Sequence, residues 1–294
     1  MKVIRAKSAG FCWGVERAIN IARAFASKGN RPVFTDGPLI HNRQMMQQLE
    51  AEGIHEVGGY VSEDALDLSL SEAEKEQAVM VVRAHGVSPE RRKYLQGLGM
   101  EFRDATCPDV GIIAGRIKGL AAKGYDIIMF GDPTHPEVIG LMGYAGGRGH
   151  VIRTEADIDS LPPLGANVCM VSQSTMFTFD FERLAAHLCR RYPNAHVFNT
   201  ICGATRERQE DVDILVRQGV EAIVVIGGRH SANTVKLAAL VEKNGLPCYH
   251  VETAAELDLH HLRANYKVVG VTAGASTPSF LIDDACRCLE ELAP

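Results

Sequence analysis

Apolar positions along this chain fall into two kinds of block that take turns. Runs such as "PVFTDG", "AVMVV", "YDIIMFGD", "NVCMVS", "EAIVVIGG" and "YKVVGVTAG" are short and almost unbroken in their hydrophobicity. They read as strands buried on both faces. Between them, "VERAINIARAF", "VGIIAGRIKGLAA" and "ATRERQEDVDILVRQ" carry apolar residues at helical spacing with charges on the opposite side, the mark of helices laid on a core. Strands alternating with helices predict an α/β fold with parallel sheets. In such sheets ligands sit beyond the carboxyl ends of the strands.

The blocks repeat. Cys12, Cys107 and Cys202 are evenly placed, since 107 − 12 = 95 and 202 − 107 = 95. Each follows a strand-like run and precedes a helix-like one, and Gly29, Gly124 and Gly219 stand 17 residues beyond them, where a left-handed cap is expected. A strand ending at Gly37, Gly131 or Gly227 comes next, then a polar segment, "PLIHNR", "PTHPEV" or "RHSANT", that opens another helix. A repeat of that length is a domain rather than a solenoid unit. The reading is three similar α/β modules, residues 1–102, 103–198 and 199–294, with strand 2–6 a candidate to join the third.

Composition narrows the classes. The 294 residues are 46% apolar and 23% charged with a net charge of −5, and no basic block points to nucleic acid or an anionic membrane. No apolar run is long enough to span a bilayer. Eight cysteines without an export signal imply a reducing compartment, and the expected location is the cytoplasm.

Three thiols at strand-to-helix loops make a three-coordinate metal site, because a helix N-terminus favours the thiolate. Zinc ordinarily takes a fourth protein ligand, whereas an iron–sulfur cluster can leave one iron open. The spacing also allows three partly buried structural thiols. Cys169, Cys189, Cys248, Cys286 and Cys288 are given that structural role. At the other strand ends stand His41 and Asn42, His85, His135 and Glu137, Ser174 and Thr175, Ser231 and Asn233, Ser276 and Thr277. Imidazoles, hydroxyls, amides and helix N-termini suit a phosphate or diphosphate. No Walker lysine or GxGxxG follows a strand, which disfavours a nucleotide. Glu137 is either a proton relay or an ordinary first-turn glutamate. The remaining histidines, His250 among them, read as surface or packing residues.

With "GFCWGVERAI", "HNR", "AHGVS", "DATCP", "HPEVIG", "NTICGATRERQ", "SAN" and "TAGAS" in this order, the chain resembles the 4-hydroxy-3-methylbut-2-enyl diphosphate reductase family over essentially its whole length. The resemblance implies a pseudo-threefold trefoil of modules around one 4Fe–4S cluster held by Cys12, Cys107 and Cys202. It implies an iron–sulfur oxidoreductase of isoprenoid precursor biosynthesis. The allylic alcohol would be reductively dehydroxylated to isopentenyl and dimethylallyl diphosphates, with electrons from an external ferredoxin or flavodoxin. It further implies that His41, His85, His135, Ser231, Asn233 and Ser276 hold the diphosphate, that Glu137 delivers protons, and that Ser174 and Thr175 lie beside the substrate hydroxyl. Ser174 replaces the family's usual threonine, Ala232 a serine or glycine, and Asp109 an apolar residue. Quinolinate synthase shares the three-cysteine plan, and a sensor without catalysis is the alternative of another class. The "HPEV", "SAN" and "TAGAS" set favours the diphosphate enzyme.

Overall fold

The computed structural model describes residues 1–27, 31–59 and 64–291, so Gly29 lies outside the described residues. Strand β1 (Lys2–Arg5) leads through the Cys12 loop into α1 (Trp13–Ala26), followed by β2 (Val33–Asp36), α2 (Arg43–Ala51), β3 (Ile54–Val57), the short α3 (Glu72–Gln77), β4 (Val79–Val82), α4 (Pro89–Gln96) and β5 (Glu101–Asp104). The Cys107 loop then opens α5 (Pro108–Ala121), β6 (Asp126–Phe130), α6 (Pro136–Met142), β7 (Gly149–Ile152), α7 (Glu155–Asp159), β8 (Val168–Ser172), α8 (Thr178–Arg191) and β9 (His196–Val197). After Cys202 come α9 (Gly203–Arg217), β10 (Ala222–Ile226), α10 (Ala232–Lys243), β11 (Cys248–Val251), α11 (Leu259–Asn265), β12 (Val268–Ala273) and α12 (Ser279–Glu290).

The strands form three four-stranded sheets in the orders β3-β2-β4-β5, β7-β6-β8-β9 and β11-β10-β12-β1, and every pairing is parallel. The three orders are one order repeated. The central strands β4, β6, β8 and β10 are buried at every position, as expected where helices cover both faces. In the second sheet Ile127 and Met129 pack with Val110, Ile113 and Ile117 of α5. Their neighbours Ile128 and Phe130 meet Phe181, Leu184 and Leu188 of α8 on the other face, the period of two that a strand imposes. Gly124 and Gly219 close their helices with φ of 82° and 77°, as the sequence predicts.

Sheet membership is set by the edge strands. Strand β5, which the 102/103 boundary divides, is the edge of the first sheet, Val79 facing Glu101 and Val82 facing Asp104. Likewise β9 closes the second sheet, and β1 closes the third, Lys2 facing Val268 and Arg5 facing Val271. An edge at 102/103 therefore runs through a strand. Cys107 and Cys202 follow the last strands of the first and second sheets, and Cys12 follows β1, the edge of the third. The chain also divides into two compact units. One joins Met1–Val15 and His41–Met45 to the segment from Cys202 onward, and the other comprises Glu16–Ile40 and Met46–Ile201. The third sheet lies in the former and the first two in the latter. Among the described residues no helix is long and apolar enough to cross a membrane.

Candidate active site

In each sheet the strand order reverses between the two central strands, the place where parallel α/β sheets present ligand-binding loops. The loops after β2 and β4 carry His41 and His85, those after β6 and β8 carry His135 and Ser174, and those after β10 and β12 carry Ser231 and Ser276. The residues picked from sequence thus occupy equivalent corners.

Within the unit holding the third sheet, five of them come together. Ser276 Oγ donates to the His41 carbonyl at 3.0 Å, and a Cβ on Gly228 would stand 3.0 Å from that same oxygen, so only glycine lets the backbone in so close. Ser231 caps α10, its Oγ accepting from Thr234 N–H at 3.4 Å, and Asn233 follows in the first turn. Asn42 Oδ1 accepts from Met45 N–H at 2.9 Å at the start of α2. Asn42 and Asn233 are 2% and 6% exposed, yet their amide nitrogens find no hydrogen-bond partner among the described residues. Buried donors left open in this way suit an anion, since leaving them unmet is costly. His250, read as packing, gives Nε2–H to the Gly227 carbonyl at 2.9 Å and steadies a glycine held at φ 145°.

The other unit brings together His85, His135, Glu137, Ser174 and Thr175. His135 caps α6, and its Nδ1 accepts the Glu137 N–H at 3.1 Å. The neutral ring therefore carries its proton on Nε2 and remains a donor. His85 sits edge-on to it with ring centres 5.8 Å apart. Glu137 is in the first turn of α6, as the dipole argument requires, but only 2% exposed. Ser174 N–H donates to its Oε1 at 2.7 Å and Ser174 Oγ to its Oε2 at 2.7 Å. Thr175 Oγ1 accepts from Gln173 Nε2 at 3.2 Å, and Gln173 Oε1 accepts the Asp132 N–H at 3.0 Å. Thr134 N–H, with the Thr134 hydroxyl, holds the Asp132 carboxyl below its usual range, which fixes the loop before His135.

The cysteines are tied to these loops by backbone. Cys12 N–H donates to the Ala275 carbonyl at 3.0 Å, one residue before Ser276. Cys107 N–H donates to the Ala84 carbonyl at 2.9 Å, one residue before His85. Cys107 and Cys202 are the N-caps of α5 and α9, and Pro108 starts α5 without an amide to satisfy. Asp109 lies in that first turn, where the dipole favours its charge. Cys12, Cys107 and Cys202 are partly exposed and lie outside any disulfide, and Cys202 Sγ stands 3.2 Å from Thr205 Oγ1. Among the described residues no three His, Cys, Asp or Glu side chains gather as for a single metal ion; thiolates on separate irons of a cluster stand farther apart than ligands sharing one ion. By contrast, burial pushes the Cys169 and Cys248 thiols up to about 11, which suits the packing role read for them.

Sequence reasoning missed Arg208. This α9 residue is 2% exposed. Burial pushes its pKa down, while the nearby Cys12 and Cys202 oppose that shift. Its motif was noticed; its tertiary reach has no local signal.

The sequence pattern of the family described as LytB protein matches residues 3–290. A 4-hydroxy-3-methylbut-2-enyl diphosphate reductase of Opitutus terrae is 61% identical over 99% of this chain and 100% of its own length. One of Alkaliphilus oremlandii is 38% identical over 99% and 100%. Among solved structures, the E-1-hydroxy-2-methyl-but-2-enyl-4-diphosphate reductase of Plasmodium falciparum is 26% identical, covering 99% of this chain and 88% of that one with a TM-score of 0.89. Sequence, strand order and the paired loops agree: this chain belongs to the LytB protein family.

Proposed function

We infer that the protein is a 4-hydroxy-3-methylbut-2-enyl diphosphate reductase, an iron–sulfur oxidoreductase of isoprenoid precursor biosynthesis. It converts the allylic alcohol, with two electrons and two protons, to water and isopentenyl or dimethylallyl diphosphate. The observation that carries this reading is the buried Glu137 carboxylate, clasped by Ser174 beside His135, in a chain related to such reductases from end to end. A protein that merely bound diphosphate would have no use for a buried carboxylate aimed at a hydroxyl.

The residues fit a cluster and a diphosphate. Cys12, Cys107 and Cys202 are thiols outside any disulfide at helix starts, Arg208 lends positive charge to two of them, and Asn42 and Asn233 offer open donors. We assign Cys12, Cys107 and Cys202 as the ligands of one 4Fe–4S cluster with an open iron. When bound, the cluster supplies the electrons and a Lewis-acidic iron for the substrate oxygen. His41, His85, His135, Ser231, Asn233 and Ser276 hold the diphosphate, and its binding energy orients the distant reacting carbon. Glu137, after taking up one of the two protons the reaction consumes, gives it to Ser174 Oγ as Ser174 passes its own to the departing hydroxyl, and Thr175 Oγ1 completes that pocket wall. Ser174 keeps the hydroxyl of the family's threonine without the methyl that limits its rotamers. Electrons arrive singly from an external ferredoxin or flavodoxin, and cysteines outside any disulfide suit the reducing cytoplasm.

The test is anaerobic. Purified chain is assayed for iron and sulfide, then given the hydroxymethylbutenyl diphosphate and a reductant, beside Glu137→Gln. The expected result is five-carbon diphosphates from the native chain, and turnover lower by about 10²–10⁴-fold in Glu137→Gln with iron content unchanged. An intact cluster that ignores this substrate would overturn the assignment; undiminished turnover in the variant would remove Glu137 from the proton path.

A further inference from the structure

Arg208 has been placed at a cost that the cores of the fold do not explain. It is among the largest fully buried side chains of the described residues, and burying a guanidinium is unfavourable unless an anion compensates it. Its hydrogen bonds go to backbone. Nη1 donates to the Ala204 carbonyl at 2.8 Å in its own helix, and Nη2 to the Gly10 carbonyl at 2.5 Å across the fold. Nε is buried without a hydrogen-bond partner among the described residues. Two neighbouring acids, Glu207 and Asp211, add to the attraction from Cys12 and Cys202 without hydrogen-bonding to Arg208, and Asp211 spends its hydrogen bonds on the Cys12 loop, accepting from Ser8 N–H at 2.7 Å and from Ser8 Oγ at 2.6 Å.

Two consequences meet here. The first is mechanical. Ser8 and Gly10 belong to the loop that carries Cys12, and Arg208 and Asp211 belong to the helix that Cys202 caps. One turn of α9 therefore grips the Cys12 loop at two points, which fixes one thiol's loop against the other's helix. Gly10 takes φ 130°, a conformation other residues rarely adopt, and in that conformation its carbonyl meets the guanidinium. The second is electrostatic. The charge of Arg208 acts on Cys12 and Cys202 together, and a fixed cation in a desolvated setting stabilises whichever nearby state is more negative. For a thiolate-bound cluster that is the reduced state, and charge beside a cluster is one of the levers on its potential.

We propose that Arg208 is a positioning residue for the cluster: it clamps the Cys12 loop to the helix capped by Cys202, and its charge makes the cluster easier to reduce. This rests on the reading that Cys12 and Cys202 are cluster ligands. The substitutions that separate charge from hydrogen bonding are Arg208→Lys, which keeps the cation, and Arg208→Gln, which keeps a donor and loses the charge. Both are prepared anaerobically beside the native chain, their apo forms checked for folding by circular dichroism. Iron and sulfide per chain are measured, and each cluster is titrated against mediators by electron paramagnetic resonance. Arg208→Lys is expected to keep a near-native midpoint, and Arg208→Gln to shift it to more negative potential. A purely structural role would alter iron retention in both variants and leave the midpoint of the surviving cluster alone. Equal midpoints in all three proteins overturn the proposal. If Arg208→Gln proves unfolded, Arg208→Met takes its place, with the same shift expected and the same midpoint fatal. A native chain that holds no iron would sink the ligand assignment itself, and a native chain with full iron but unshifted variants would sink only the role of Arg208.

Discussion

The two kinds of cysteine differ in what surrounds them. Cys169 lies inside β8, wholly buried among Val110, Ile113 and Met129, and Cys248 begins β11. Burial pushes both thiols up to about 11, against roughly 8.5 for a free one. A pKa raised on folding adds stability that is complete below the unfolded value and drains away as pH climbs toward the folded one. Between about pH 8.5 and 11 these two groups therefore work against the native state. At pH 8 both should resist iodoacetamide in the folded apo-protein and react once urea is added, as read by peptide mass spectrometry. Labelling of Cys169 at the same rate with and without urea would show that the strand does not protect it. That contrast was legible in the sequence, because a cysteine inside an apolar run reads as core and one between a strand and a helix does not. Arg208 was not legible. Its partners are Gly10, nearly two hundred positions away, and two thiols from different loops; no pattern along α9 announces them.

At the scale of elements, the alternation of strands and helices and the closing glycines could be read directly, since each is a local demand of backbone geometry. Which sheet receives the strand before each cysteine could not. Alternation says that β5 and β9 are strands, whereas their partners are set by pairing with β4 and β8. The short α3 and α7 are likewise products of their capping boxes, Ser71 with Glu74 and Thr154 with Asp157, rather than of any apolar stripe. Close approach of elements also shapes the site. A Cβ on Gly140 would stand 3.3 Å from the Val87 backbone, and one on Gly143 only 2.8 Å from Ser88 Cβ. Helix α6 is thus pressed against the loop that follows His85. Gly143→Ala should push α6 away, cost about 1–3 kcal/mol in urea unfolding, and raise KM for the diphosphate more than it lowers kcat, because His85 and His135 would part while Glu137 and Ser174 stay together. An unchanged KM would mean that the spacing of the two histidines is not set by this contact.

The whole molecule is three copies of one plan, and one of Cys12, Cys107 and Cys202 follows an edge strand of each sheet. Each sheet has its own buried clusters, so folding would not wait on the cluster proposed for the three cysteines. Cys107→Ser should accordingly lose the cluster, seen as iron per chain falling to background, while the apo-variant melts within a few degrees of native apo-protein. Normal iron in that variant would refute the ligand set. The even spacing of the cysteines was enough to find this plan, because the repeat preserves strand, loop and helix lengths together. It was silent on the hydrogen bonds from Cys12 to Ala275 and from Cys107 to Ala84, which join two of the thiol loops to the loops bearing Ser276 and His85 and depend on sheet pairing.

Because β1 lies beside β12, Val3 facing Val269, residues 2–5 leave the ribosome long before anything exists to receive them. The sheets of β2–β5 and β6–β9 can close one after the other as synthesis proceeds, the usual order for modules of a growing chain. Strand β1 must stay unpaired throughout, and with it the Cys12 loop, whose anchors at Ala275, Asp211 and Arg208 are all made later. Of Cys12, Cys107 and Cys202 the earliest translated is the last to take its place, so the cluster proposed for them would form only on a chain already synthesised.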